Sequence, residues 1–269
     1  MNILVLIKPV PDPEHEGDIR IDEASGRIVR EDVKHVLDPL SRNALEAALQ
    51  LAKQGETPGF VAVLSMAPPQ MSDKMTEALA MGADEAFLLS DEAFGGADTY
   101  ATSYTLAAAV RKIEAEKALQ FDLILAGSAS ADGGTSHVAV QTAEWLGRTH
   151  IANVCRLETE GDLIRAVKRS EEVLLTFEGE GPAVIAVTRD INKPRLVTAM
   201  GIIKARKKPL TVWNREDLGV EPERTGLTGS PTRAGRLSAP ENRRQAREPW
   251  ETPEEAAAGI RKIIQEAGI

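Results

Sequence analysis

A run of small and polar residues between an apolar stretch and a helix-like stretch is the segment best suited to chemistry. It reads Gly127-Ser128-Ala129-Ser130-Ala131-Asp132-Gly133-Gly134-Thr135-Ser136, followed by His137 and Val138. Free backbone N–H groups at a helix start, together with Ser and Thr hydroxyls, suit a phosphate. A plain strand-to-helix turn also favours Gly and a capping Ser, so both interpretations stay open. Because no Lys follows a glycine there, the segment is not a P-loop, and ATP hydrolysis gains no support.

A second polar segment, Gly95 to Ser103, follows the third predicted strand. Asp98 is suited to cap the helix that begins there, and Thr99 and Thr102 place hydroxyls on its first turn. A simple helix cap with a solvated first turn also explains this local pattern.

The histidines, serines and cysteine of this sequence do not fall in patterns typical of a catalytic nucleophile or a metal site. His15, His35, His137 and His150 have no metal-ligand spacing, and no nucleophile elbow is present. The single cysteine, Cys155, excludes an internal disulfide or a Cys-rich metal cage and is expected to be a small core residue. The sequence therefore predicts binding loops, no catalytic residue and no metal site.

Short apolar runs alternate with helix-length segments, which predicts an α/β fold with a mostly parallel, doubly wound sheet. The predicted parallel strands are Ile3–Ile7, Phe60–Ser65, Glu85–Leu89, Leu123–Ala126 and Ala183–Val187. The predicted helices contain Ala44 to Leu51, Met71 to Met81, Thr99 to Glu116 and Ser136 to Leu146. Leu163–Val167 and Val173–Phe177 alternate as antiparallel strands do. Ligands of such folds bind at the carboxyl ends of the strands, where both polar segments fall.

Composition changes near the C-terminus. From Leu218 to Pro249, Gly, Pro, Thr, Ser and Arg dominate, which predicts an extended arm. Thr252-Pro253-Glu254-Glu255 is a capping box, and it predicts a final helix with Ile260, Ile263 and Ile264 on one face. We expect an α/β nucleotide-binding domain over residues 1–225 and an arm with helix over 226–269. That helix docks either on its own domain or on a partner subunit.

Charge and hydropathy argue against a nucleic-acid-binding protein and against a membrane-spanning protein. The net charge of −9 favours solubility and argues against nucleic-acid binding. The longest apolar run, Ile3–Ile7, is far shorter than a membrane span, so a cytoplasmic protein is expected. A basic cluster of Lys204, Arg206, Lys207 and Lys208 is either a solvated surface or a contact for an acidic partner.

Several blocks, in order, resemble the beta subunit of electron transfer flavoproteins over essentially the whole chain. They are Val36-Leu37-Asp38-Pro39, Ala78 to Asp84, Asp122 to Asp132, Ile191 to Arg195, Gly201 to Pro209 and Trp213 to Gly219. Where the family loop usually begins Gly-Arg-Gln or Gly-Lys-Gln, this chain has Ser128 and Ala129 after the glycine.

The resemblance implies an adenine-nucleotide pocket in this subunit. Its expected residues are Leu6, Asp38, Pro39, Leu40, Ser41, Met66 and the stretch Gly127 to Val138. In this family the pocket holds AMP in simple carriers and a second FAD in members that bifurcate electrons from NADH. The stretch Gly96 to Thr102 resembles the bifurcating version, so FAD is favoured, with Asp98, Thr99 and Thr102 beside it, and AMP is the alternative.

The resemblance also implies partners. A larger alpha subunit would hold the electron-carrying FAD, and a flavin dehydrogenase such as an acyl-CoA dehydrogenase would dock at Ala199, Met200, Ile202 and Lys204. NADH oxidation is expected only of a bifurcating complex. A rival interpretation is a non-redox adenine-nucleotide module of the universal stress protein type. It predicts a colourless homodimer, whereas an electron carrier predicts a yellow heterodimer.

Overall fold

The computed structural model describes residues 1–12, 14, 20–21, 28–29, 33–54, 59–233, 235 and 250–267. Its strands are β1 (Asn2–Leu6), β2 (Pro9–Pro11), β3 (Arg20–Ile21), β4 (Ile28–Val29), β5 (His35–Leu37), β6 (Phe60–Met66), β7 (Glu85–Leu89), β8 (Leu123–Gly127), β9 (Thr149–Glu160), β10 (Leu163–Ser170), β11 (Val173–Glu180), β12 (Ala183–Val187) and β13 (Leu210–Trp213). Its helices are α1 (Pro39–Leu51), α2 (Ser72–Met81), α3 (Thr99–Lys117), α4 (Val138–Leu146), α5 (Ala199–Ala205), α6 (Arg215–Leu218) and α7 (Pro253–Ala267). Of the predicted features, His15 and residues 234, 236–249 and 268–269 of the arm and final helix lie outside the described residues.

Nine strands form one sheet in the order β11-β10-β9-β12-β8-β1-β6-β7-β13. The pairings from β9 through the centre to β13 are parallel. The pairings of β10 with β9 and with β11 are antiparallel. The predicted α/β class, with a mostly parallel sheet and a few antiparallel strands, is confirmed.

Helices cover both faces of this sheet, because its central strands are apolar on both sides. Successive residues of a strand point to opposite faces, so Ile3 and Val5 pack in one core while Leu4 and Leu6 pack in the other. The first core also contains α1 and α2, and the second contains α3 and α4. The fold is therefore doubly wound.

The chain reverses its direction across the sheet next to β1. It runs outward from β1 to β6 and β7 with α1 and α2 on one face, and returns through α3 on the opposite face to β8, on the other side of β1. The segments that follow β1 and β8 lead to helices on opposite faces of the sheet. In folds of this kind, such divergence leaves a crevice at the carboxyl ends of the two strands. This switch point is the place in the fold where a ligand is expected.

The antiparallel end of the sheet is longer than the sequence predicts. Strands β10 and β11 extend beyond the predicted Leu163–Val167 and Val173–Phe177, and β9 was not predicted at all. Strand β11 lies at the end of the sheet order, and all eight of its residues are exposed. Large apolar side chains, including Val173, Leu174 and Phe177, therefore meet solvent on both faces of this strand.

Two local predictions were wrong. The fourth helix begins at Val138 and not at Ser136, because Gly134 (φ 60°) and Ser136 (φ 59°) adopt left-handed conformations that a right-handed helix cannot include. Cys155 is only partly buried, with its Sγ 3.4 Å from the carbonyl oxygen of Val167, so it is not a core residue.

The final helix forms as predicted but leaves its apolar face in solvent. Pro253 is its first residue, and the Thr252 Oγ1 accepts a hydrogen bond from the backbone N–H of Glu255 at 3.2 Å. Ile260, Ile263 and Ile264 are 40–49% exposed. No helix among the described residues is long and apolar enough to cross a membrane.

Residues just past the predicted domain boundary follow the surface of the α/β domain. Thr225 and Ser230 are buried, and the backbone N–H of Leu227 donates to the carbonyl oxygen of Gly95 at 3.0 Å. The division into residues 1–225 and 226–269 stays a prediction.

Candidate functional site

Asp38 joins the loop after β8 to the start of α1, across the switch point. Its Oδ2 accepts a hydrogen bond from the backbone N–H of Ser41 at 3.0 Å, which caps the helix, and its Oδ1 accepts one from Ala131 N–H at 2.9 Å. Burial raises the pKa of this carboxyl above its ordinary value, although the hydrogen bonds from Ala131 and Ser41 oppose the shift. Asp38 therefore fixes the loop against the helix.

Gly127, at the end of β8, lies close against the first turn of α1. A Cβ added there would lie 2.7 Å from the Cβ of Leu40, well inside the roughly 3.5–4.0 Å at which carbon atoms pack. Pro39 occupies the first turn of α1, where its missing N–H costs no helical hydrogen bond. The predicted residues Asp38 to Ser41 thus lie directly against the start of the predicted loop.

The rest of the loop is open to solvent and leads into a helix without a side-chain cap. Residues 131–137 are exposed, and a turn is closed by the Gly134 N–H donating to Ser130 O at 2.9 Å. His137 occupies the N-cap position but makes no side-chain capping bond, so the first-turn N–H groups of α4 have no side-chain acceptor. Such groups bind phosphate. The loop therefore still offers backbone N–H groups to a phosphate, although α4 begins at Val138, two residues after the predicted start.

Lys8, which is not among the predicted site residues, lies over this loop. Its Nζ is 2.7 Å from the Asp132 Oδ1 and 3.4 Å from the Ser130 Oγ. Partial burial of its carboxyl group would raise the pKa of Asp132, but the hydrogen bond and charge of Lys8, together with a hydrogen bond from Ser130, lower that pKa below its ordinary value. A lysine directly after the central strand was the signal available in the sequence.

Leu6 and Met66 lie near the carboxyl ends of β1 and β6, on the face covered by α3 and α4. Leu6 is buried and pairs with Leu64 and Ala126, whereas Met66 is partly exposed and pairs with Leu89. Both side chains belong to the core that α3 and α4 cover. They offer an apolar wall beside the crevice.

Asp98 caps α3 and ties it to a later segment. Its Oδ1 accepts from the backbone N–H of Tyr100 at 2.9 Å and of Ala101 at 3.0 Å, and its Oδ2 accepts from Thr232 N–H at 3.0 Å and Oγ1 at 2.7 Å. Burial would raise the pKa of Asp98, but these hydrogen bonds outweigh it and lower the pKa. Thr99 and Thr102 are partly exposed on the first turn. Their hydroxyls remain the candidates for a ligand contact.

The predicted partner-binding residues form a separate surface. They lie on α5, which packs against α2 on the opposite face of the sheet from Leu6 and Met66. Ala199, Met200, Ile202 and Lys204 are all exposed, Met200 at 60%. The structure therefore brings Asp38–Ser41 and Gly127–Asp132 together and leaves the α5 residues apart from them.

The segment that leads into α5 is fastened to α1. Arg195 donates from Nε to the Glu46 Oε2 at 2.6 Å and from Nη2 to Oε1 at 3.0 Å. Asn43 and Asn192 exchange hydrogen bonds of 2.9 and 3.0 Å between side-chain amides and backbone carbonyl oxygens. Burial would raise the pKa of Glu46, but the hydrogen bonds from Arg195 and Gln50 and the charge of Arg195 together lower it.

The groups assembled at the switch point include backbone amides, hydroxyls, the ammonium group of Lys8 and the carboxylates of Asp38 and Asp132. Across the part of the chain that the structure describes, no group of three or more His, Cys, Asp or Glu side chains is placed to hold a metal ion.

Comparisons with known proteins show similarity to electron transfer flavoproteins. A family model described as the electron transfer flavoprotein domain matches residues 25–218. The CarD subunit of the caffeyl-CoA reductase–Etf complex of Acetobacterium woodii is 42% identical over 241 residues, which is 89% of this chain and 88% of that protein. The electron transfer flavoprotein subunit beta of Clostridium acetobutylicum is 38% identical over 266 residues, 99% of this chain and 98% of that protein. Protein FixA of Azorhizobium caulinodans is 36% identical over 247 residues, 90% of this chain and 86% of that protein.

Proposed function

Because the chain belongs to the electron transfer flavoprotein beta-subunit family, we propose that it holds an adenine nucleotide at the switch point and works as the small subunit of a flavin-carrying heterodimer. The observation that carries this proposal is the arrangement at the switch point between β1 and β8, where Asp38 fixes an exposed loop that ends in an uncapped helix. Flavin supplies the redox chemistry when it is bound. The residues of this chain bind it, orient it and limit its access to water.

The donor set fits the phosphate half of such a ligand. The first-turn N–H groups of α4, the hydroxyls of Ser130 and Thr135, and the ammonium of Lys8 all suit an anion. Gly133 and Gly134 carry no side chain, so a ligand can approach the backbone closely. The apolar surface of Met66 suits a flat aromatic ring.

We favour FAD over AMP as the nucleotide, and with it electron bifurcation from NADH. The sequence resemblance at Gly96 to Thr102 supports this choice, as does the partly exposed position of Thr99 and Thr102 on the face that carries Met66. AMP in the same pocket would indicate a simple carrier.

Two surfaces support the proposed partners. The exposed apolar face of α7 suits a larger alpha-type subunit that covers Ile260, Ile263 and Ile264. The exposed α5 residues suit a flavin dehydrogenase, since a flexible side chain such as Met200 adapts to different contact surfaces.

Gly134→Glu is expected to expel the nucleotide, because an acidic side chain placed in the loop would repel and occlude a phosphate. Gly161→Glu is the matched control. Both glycines have a positive φ (60° and 59°), and a Cβ at either would meet nothing within 4 Å. Each variant therefore carries a similar backbone strain of about 1–2 kcal/mol and the same added charge. Only Gly134→Glu should purify without adenine nucleotide, measured by acid extraction and chromatography.

Equal nucleotide content in the two variants would show that this loop is not the phosphate site. The wild-type complex itself separates the broader alternatives. Two FAD per heterodimer supports bifurcation, one FAD with AMP supports a simple carrier, and a colourless homodimer contradicts the proposed function.

The double substitution of Thr99→Val and Thr102→Val should keep the adenine nucleotide but shift the reduction of one flavin, because it removes two hydroxyls and spares the loop after β8. Asp98→Ala is the comparison variant. It removes a cap and should lower the free energy of unfolding by about 0.5–2 kcal/mol. Dithionite titration followed by absorbance checks the flavins. Reduction curves of the Thr variant identical to wild type would favour AMP in this subunit.

A further inference from the structure

The ammonium group of Lys8 reaches across the crevice from β1 to the loop after β8. It contacts Asp132 at 2.7 Å and Ser130 at 3.4 Å. A Cβ added to Gly133 would be 3.9 Å from the Lys8 Nζ. The charge therefore lies over the turn formed by residues 130–133, where the chain has no bulky side chain to shield it.

The backbone of Lys8 is held firmly, while its side chain remains accessible. Its N–H donates to the Ser41 Oγ at 3.1 Å, and its carbonyl oxygen accepts from the Asp38 N–H at 2.9 Å. The side chain is 48% exposed. Lys8 is thus anchored at the start of α1, with a head group that a ligand in the crevice can reach.

The local charge explains why a cation is needed here. Asp38 and Asp132 both lie at the loop, and Asp132 adds to the electrostatic cost of ionising Asp38. A phosphate that approaches the first turn of α4 meets this negative potential. An ammonium group at the position of Lys8 offsets it and can donate a charge-assisted hydrogen bond, of the kind that lysines give to phosphates.

We propose that Lys8 binds the phosphate nearest the adenosine of the nucleotide, and that Asp132 and Ser130 hold its ammonium group in place until the ligand arrives. This inference rests on the proposed function, because it needs a nucleotide in the crevice. It identifies the 5′-phosphate of an adenine nucleotide, shared by AMP and FAD, as the group that Lys8 recognises.

The test is calorimetric titration of the full-length protein, freed of bound nucleotide, with AMP and with adenosine. We expect Lys8→Met to weaken AMP binding by about 10- to 100-fold, the range for a lost hydrogen bond to a charged group. Adenosine binding should change less than about twofold, because it carries no phosphate. Lys117→Met is the matched control. Lys117 forms a 2.5 Å ion pair with Glu85, the first residue of β7, and lies at the amino end of that strand, away from the loop after β8. Its loss changes the net charge by the same amount.

Asp132→Asn separates phosphate binding from a purely structural role. It removes the ion pair but keeps the ammonium group, so AMP binding should be retained or improved. The inference would be overturned if Asp132→Asn weakened AMP binding as much as Lys8→Met does. It would also be overturned if Lys8→Met weakened the binding of AMP and adenosine equally. Either result would show that Lys8 only positions the loop. Unchanged AMP affinity in Lys8→Met would overturn it too. A wild-type protein that binds neither AMP nor FAD would instead remove the proposed function itself, and this inference with it.

Discussion

Asp38→Ala should lower the free energy of unfolding by about 1.5–5 kcal/mol and empty the nucleotide site. The loss of the helix cap on α1 accounts for about 0.5–2 kcal/mol. The Ala131 N–H, left without its acceptor, adds about 1–3 kcal/mol. Because the Asp38 carboxylate holds the loop after β8 against the helix, the loop loses the geometry that the ligand needs. Denaturant unfolding and extraction of bound nucleotide measure the two effects.

Asp91→Ala is the control for this prediction. The Asp91 carboxylate also accepts two backbone hydrogen bonds, one from Ala93 at 2.9 Å and one that holds a distant segment, from Arg215 at 2.9 Å. It lies after β7, away from the switch point. A similar loss of stability with normal nucleotide content is expected. If Asp38→Ala also kept its nucleotide, the link between Asp38 and the site would be contradicted.

Arg195→Met should destabilise the protein by about 3 kcal/mol at neutral pH, because it leaves the buried Glu46 carboxylate without its cation. The pKa of Glu46 is lowered in the folded protein, so its contribution is present above its ordinary value of 4.5 and is lost as the pH falls through the lowered pKa. Without Arg195, burial should raise that pKa. The difference between variant and wild type should therefore shrink as the medium becomes acidic, which unfolding curves at several pH values can measure.

The double variant Glu46→Leu with Arg195→Met supplies the control. Replacing both partners with apolar residues avoids a lone buried charge, so much of the lost stability should return. Nucleotide content should be normal in the single and double variants, because Glu46 lies on α1 eight residues beyond the cap Asp38. If Arg195→Met alone is as stable as the wild type, the ion pair contributes little to the free energy of unfolding.

The parallel core was predictable because its strands are buried on both faces. Phe60 to Met66 and Ala183 to Val187 are nearly continuous apolar runs, which is the pattern of a covered strand. Strand β9 escaped prediction because its burial is irregular along its twelve residues, with charged and polar positions throughout. The four-residue edge strand β13 was missed for a similar reason, since only Trp213 of it is buried.

The position of the candidate loop, at the end of β8, was predictable from the sequence, whereas its contacts were not. The small residues from Gly127 to Gly134 mark a loop at a strand end, and the resemblance to a family assigns that loop a ligand. The hydrogen bond of Asp38 to Ala131 joins residues 93 positions apart, and the ion pair of Lys8 with Asp132 joins residues 124 apart. Local patterns carry no information about such pairs, which depend on how α1 and β8 meet. Asp98 was recognisable as a cap, but its bond to Thr232 was not.

Strand β11 gives the isolated chain a route to self-association. The stretch from Val173 to Phe177 contains no charge, Pro or Gly, and it lies at the free end of the sheet order with both faces in water. An edge of this kind can pair with the same edge of another copy and begin an open-ended stack. Glu171 and Glu172 before it and Glu178 after it place charges on either side, an arrangement that slows such stacking. If this chain is synthesised faster than its β11 edge is covered, we therefore expect precipitation to be favoured over function.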